Sequence, residues 1–140
     1  MSWRGAVVLL VAIFSPSCGD SGEPHRARLL DGDGRVQLEL EIQVADTEHG
    51  RAEGLRLHGP LAGEQALLLR FPRDGEVCIS NRGVPYPIDL VYLAADQTVT
   101  AIERTIPAND PGPYCHPAQL VLELGGGSLG PINYSKLEIF

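Results

Sequence analysis

The sequence predicts an all-β domain, a sandwich or barrel of short strands with one short helix, and three observations lead there. The first is a strict alternation, with Val36, Leu38, Leu40, Ile42 and Val44 on one face and Gln37, Glu39, Glu41 and Gln43 on the other. That is the period of a strand with one face on a core and one in water. The second is punctuation: 16 glycines and 11 prolines in 140 residues favour turns and short strands over long helices. The third is the stretch Glu76 to Leu93, in which two prolines flank Tyr86 and a β-branched and aromatic run follows, the pattern of a constrained turn feeding a buried strand.

Taken in order, Asp31-Gly32-Asp33-Gly34 is a turn signal before the alternating strand. Asp46-Thr47-Glu48 is a helix start, and the helix is expected to run through Arg51 to about Leu57, stopped by Gly59-Pro60. Ala66 to Phe71 reads as a strand and Pro72-Arg73-Asp74-Gly75 as a turn. Ile88 to Leu93 is the core strand, and Ala94 to Gln97 turns the chain into a strand over Thr98 to Thr105. Ile106 to Pro117 is expected as a proline-rich loop. Gln119 to Leu124 is a strand, Gly125-Gly126-Gly127 a turn and Lys136 to Phe140 a closing strand. No internal repeat is visible.

The amino terminus has a different character. Arg4 gives a positive start, Gly5 to Phe14 is uncharged and apolar, and Ser15-Pro16-Ser17 leads to Cys18. The run is shorter than the ~20 apolar residues that span a bilayer, so residues 1–17 are expected to be a signal peptide. The cysteine in that place resembles a bacterial lipobox, which implies a diacylated Cys18 as the first mature residue. Residues 18–34 are then a polar tether and 35–140 the folded domain. An acylated cysteine would hold the domain at a membrane surface, each buried methylene contributing about 0.8 kcal/mol.

Export bears on the two remaining cysteines. Cys78 and Cys115 are expected to form a disulfide, which in the chain-entropy model stabilises a fold of this size by about 4 kcal/mol. A metal pair with His116 lacks the spaced fourth ligand of a structural zinc site, so neither metal nor cofactor is expected. The formal net charge of -7 repels a phosphate backbone and argues against nucleic-acid partners.

The order A-D-T-E, G-L, L-L-L-R-F-P, P-Y-P-I-D-L-V-Y-L-A-A-D and L-V-L-E-L-G-G-G resembles the DUF192 family from Val36 to Phe140. The resemblance implies a jelly-roll-like β-sandwich and carries no activity. It also exposes departures. Aligned without gaps on Pro87-Ile88-Asp89, the family's F-W-M-K-N-T falls on Ile79, Ser80, Asn81, Arg82, Gly83 and Val84, keeping only a basic residue at Arg82. The family's G-L-M-x-R becomes Gly54, Leu55, Arg56, Leu57 and His58, and its late G-D pair falls on Tyr134 and Ser135. The scaffold is kept and the pocket rebuilt.

Candidate site residues follow from chemistry. Arg82 could clamp an anion with its planar fork or pair with a surface acid. Tyr86 could stack on a sugar or pack against prolines. Asp89 could be a pocket acid or an acceptor of backbone N–H groups in the turn. His49 and Glu53 stand at helical spacing, yet one histidine makes no metalloprotease motif. No serine has a nucleophile elbow, and the glycine run precedes no helix and so makes no phosphate loop. The expected function is a lipid-anchored cell-envelope module, non-catalytic, binding an envelope glycan or protein near Arg82, Tyr86 and Asp89. The alternatives are a structural envelope protein with a decayed pocket, or a hydrolase using Asp89 with a second group from Glu76, His58 or Glu123.

Overall fold

The computed structural model describes residues 25–56 and 58–140. The expectations of a signal peptide and of lipidation at Cys18 fall outside them. The strands are β1 (His25–Asp31), β2 (Val36–Ala45), β3 (Gln65–Ile79), β4 (Ile88–Leu93), β5 (Val99–Ile106), β6 (Tyr114–Gly125) and β7 (Tyr134–Ile139), with one helix, α1 (Glu48–Glu53), between β2 and β3. They form one seven-stranded sheet in the order β5-β4-β6-β3-β2-β1-β7, curled into a half-barrel, so the all-β expectation holds. The ends of the sheet meet at one point, where Thr98 bridges Lys136 and Leu137 N–H donates to Gln97 O at 3.0 Å.

All neighbouring strands are antiparallel except β2 and β3, which run parallel. A parallel neighbour needs a crossover, and α1 lies in it. Thr47 caps the helix, its Oγ1 accepting from Gly50 N–H at 3.0 Å. Gly54 ends it at φ 52, a conformation that suits glycine, with its N–H donating to Gly50 O. The helix therefore stops short of the Leu57 expected from Gly59-Pro60.

Three further elements differ from expectation. β1 occupies part of the stretch assigned to the tether. Its short R-A-R-L-L pattern is flanked by charge, yet Ala27, Leu29 and Leu30 are buried between β2 and β7. Pro72 to Gly75 bulges within β3 instead of turning the chain, and pairing with β6 resumes at Gly75 opposite Ala118. β6 begins at Tyr114, inside the predicted loop, because residues 114–118 continue the ladder against Gly75 to Ile79.

The curled sheet has two cores. Ala27, Leu29, Leu40, Ile42, Leu68, Val91, Leu122 and Leu137 fill the inside of the half-barrel. Leu67, Leu69, Ile79, Leu90, Tyr92 and Val121 form a second cluster on the outer face, with Leu55 and Val84 packed against them. β4 lies between the two and is buried at every position. This is why Ile88 to Leu93 reads as an apolar run broken only by Asp89.

Asp89, on the inner face, is fully buried. Its Oδ1 accepts from Thr105 N–H at 2.7 Å, and its Oδ2 accepts from Gly127 N–H at 3.1 Å and Leu129 N–H at 2.9 Å. Thr105 is held at φ 55, an uncommon conformation for a β-branched residue. Replacing one acceptor oxygen by an amide sets a donor against a donor. Asp89→Asn is therefore expected to destabilise the fold by about 2–4 kcal/mol in denaturant titration.

Candidate functional site

Positions remote in sequence converge on the outer face of β6. Residues 120, 122 and 124 point into the half-barrel, so Val121 and Glu123 point out. Over Glu123 lies the carboxyl end of α1, with Gly54 so close that a Cβ there would stand 3.5 Å from Oε1. β3 supplies Leu69 and Ile79 to one wall, and Asn81 and Val84 supply another. Together they enclose a cleft of about 520 Å³.

Two side chains hold the rim. Arg56 spans from α1 to the facing loop, its Nε donating to Arg82 O at 2.9 Å and its Nη1 to Ala52 O. Arg51 donates to Asp46 O and Arg70 O and lies 5.2 Å over the Phe71 ring. Asn81, 1% exposed, donates through Nδ2 to Tyr86 O at 3.1 Å and Pro107 O at 2.9 Å, tying two loops together.

Glu123 is the exceptional group. It is 5% exposed and lines the cleft, and its carboxyl has no hydrogen-bond partner among the described residues. Burial raises its pKa from 4.5 to about 7, and the charge of Arg56 offsets this only in part. A buried carboxyl without a partner costs stability, so its presence in a cleft marks a candidate site.

The residues nominated from sequence scatter. Asp89 and Glu123 lie on adjacent strands but on opposite faces, since Leu90 pairs with Glu123 and Asp89 with Leu124. No shared acid–base pair forms. The Arg82 side chain is exposed, and only its backbone meets Arg56. Tyr86 packs on the outer core, its hydroxyl within 3.3 Å of the carbonyl oxygens of Leu55, His58 and Gly59. Its pKa is raised by burial and by the charge of Glu123, which places it in the neighbourhood of the site. His58 and Glu76 are exposed. Cys78 and Cys115 are bonded at directly opposed positions of β3 and β6.

Sequence reasoning named Glu123 only as an accessory and missed Gly54, Arg56 and Asn81. The signal in L-V-L-E-L is that a strand buried on both faces must bury its glutamate too. For Asn81, the ungapped alignment set it opposite a methionine. The structure buries this residue and gives its amide two backbone partners.

Comparison with known proteins agrees with the architecture. No curated protein matches the chain. A Sinorhizobium meliloti protein described as a putative transcription regulator superposes with a TM-score of 0.77 at 24% identity, over 84% of this chain and 94% of that one. A protein of unknown function from Novosphingobium aromaticivorans superposes with a TM-score of 0.72 at 20% identity, over 89% and 99%. At these identities the likeness shows a shared fold. The family model of DUF192, an uncharacterized ACR, matches residues 29–135, and the chain belongs to that family.

Proposed function

We propose that this protein is a cell-envelope lipoprotein, anchored through Cys18, whose domain binds a small ligand carrying a cationic or strongly donating group such as an amine. The observation that carries the binding reading is Glu123, a carboxyl at the floor of a cleft with no hydrogen-bond partner among the described residues. Arg51 Nη1 and Arg56 Nε and Nη1 already donate to backbone carbonyls, whereas the buried Asn81 Oδ1 lining the same cleft accepts no hydrogen bond among the described residues, so a donor on the ligand would meet two acceptors there. Apolar walls from Leu69, Ile79 and Val84 suit a ligand with a hydrocarbon body, and envelope amino sugars and amines are the natural candidates.

The anchor rests on Arg4, the apolar run Gly5 to Phe14 and the small residues before Cys18. Among the described residues no helix is long and apolar enough to cross a membrane. The transcription-regulator description of the Sinorhizobium neighbour is not carried over, because a net charge of -7 opposes binding to a polyanion. No catalytic role is assigned, since Asp89 serves backbone donors on the other face.

Three outcomes follow. Intact-mass analysis of the membrane-extracted chain should find a diacylglycerol-sized addition on Cys18; an unmodified cysteine removes the anchor. In thermal-shift and calorimetric screens of the full-length chain against amines and neutral sugars, an amine should bind, with affinity rising about tenfold between pH 6 and pH 8 as Glu123 ionises. Glu123→Gln should lower that affinity at least tenfold and flatten the pH profile, and equal binding by the variant would end this reading.

Stability should move the other way. Because the folded pKa of Glu123 is raised, its contribution is most favourable below pH 4.5 and is lost as pH rises through about 7. Glu123→Gln is therefore expected to gain about 2 kcal/mol on the native chain at pH 8 compared with pH 5, measured by denaturant titration at both values.

A further inference from the structure

The disulfide lies on the surface and not in a core. Cys78 is exposed and lines the cleft, Cys115 is half-buried, and their Cα atoms are 4.0 Å apart. The ladder runs past them on both sides, pairing Val77 with His116 and Ile79 with Tyr114, so β3 and β6 are joined by backbone hydrogen bonds as well as by sulfur. Glu76 precedes Cys78 by two residues and shares its face of the strand. Its carboxylate and both Sγ atoms all lie within 4.8 Å of one another. The Glu76 carboxylate has no other partner among the described residues. His116 is not part of this group. It faces the other side of β6, where its Nε2 meets Glu103 Oε2 at 2.7 Å and its ring stands edge-on to Tyr92.

We propose that Cys78 and Cys115 form a reducible pair that, once reduced, joins Glu76 in holding a thiophilic divalent cation such as Zn²⁺ beside the mouth of the cleft. Two thiolates and a carboxylate are a donor set that suits zinc, and a tetrahedral ion with Zn–S bonds of about 2.3 Å needs its sulfurs only roughly 3.8 Å apart. Opening the bond to that span asks for side-chain rotation at exposed Cys78 and half-buried Cys115 and leaves the backbone register in place.

The reduction is a two-electron exchange with a dithiol. A donor thiolate attacks the exposed Cys78 Sγ, the bond between Cys78 and Cys115 breaks, and Cys115 leaves as a thiolate. The donor's second thiolate then attacks its own sulfur in the mixed disulfide, releasing Cys78 as a thiolate and leaving the donor as a disulfide. The cation then binds the two thiolates, taking the place of the protons they would otherwise carry.

The test uses the full-length chain, oxidised or reduced with dithiothreitol and freed of reductant without air, titrated with Co²⁺ as a probe. The expected result is one equivalent bound by the reduced chain with thiolate charge-transfer absorption, displacement by Zn²⁺, and no such signal from the oxidised chain. Cys78→Ser and Cys115→Ser should each abolish the signal, and Glu76→Gln should weaken binding about tenfold while leaving the melting temperature of the oxidised chain unchanged. Circular dichroism should find the reduced chain folded. No binding by the reduced chain, binding that survives either serine variant, full affinity in Glu76→Gln, or unfolding on reduction would each overturn the proposal. Because the probe is the metal alone, these outcomes are independent of whether an amine occupies the Glu123 cleft.

Discussion

The antiparallel pairing of β3 with β6 is the constraint on which the rest depends. It runs from Ala66 opposite Leu124 to Ile79 opposite Tyr114, interrupted only by the bulge between Arg70 and Gly75. Its inward residues complete the interior of the half-barrel, and its outward residues floor the second core. Through β6 it also brings in β4, and through β3 it brings in the parallel β2 and the crossover that carries α1. A one-residue slip in this ladder would turn Glu123 inward among leucines and send Leu122 to the cleft. The register thus decides in one step where the core lies and where the unpartnered acid sits.

Two buried carboxyls show how environment assigns roles to similar groups. Asp89 meets three backbone N–H groups and holds together the ends of β4, β5 and the loop after β6. Glu123 meets none, with a glycine pressed over it and an arginine, Arg56, whose Nε and Nη1 donate to backbone carbonyls and whose charge only partly offsets the burial. The first is an ordinary device for closing a turn. The second is a local conflict between burial and charge, and such conflicts collect where a protein contacts something other than itself.

The legibility of the chain follows the same division. The alternation in β2 and the apolar run of β4 reflect burial directly; β4 is buried throughout, and the β2 pattern holds from Leu40 to Val44, while Val36 at the start of the strand is exposed and Leu38 half-buried. The cap of α1 is legible because Thr47 has a local chemical task. The bulge in β3 and the early start of β6 are not, because those polar residues take strand geometry from the partner opposite and not from their own pattern. The site is hidden for a related reason. Its members come from α1, β3, the loop that follows β3, and β6, and nothing local in Gly54 or Asn81 reveals which distant group lies above or below. Asp89 drew attention because proline, apolar neighbours and charge coincide there in sequence, whereas the acid that opens on a cleft sits inside a run of leucines.

Among the described residues the backbone of the half-barrel closes where Thr98 meets Lys136 and Leu137 meets Gln97, and farther along β5 only the Arg104 side chain reaches across, to the carbonyls of Gly130 and Ile132. A cylinder with such a seam has a built-in direction of least resistance. Amide protons along β5 and β7 should exchange with solvent through openings that leave β3 and β6 intact, and a protease would find its first foothold there. On the β5 side only β4 stands between this seam and β6, whereas on the β7 side β1 and β2 separate it from β3.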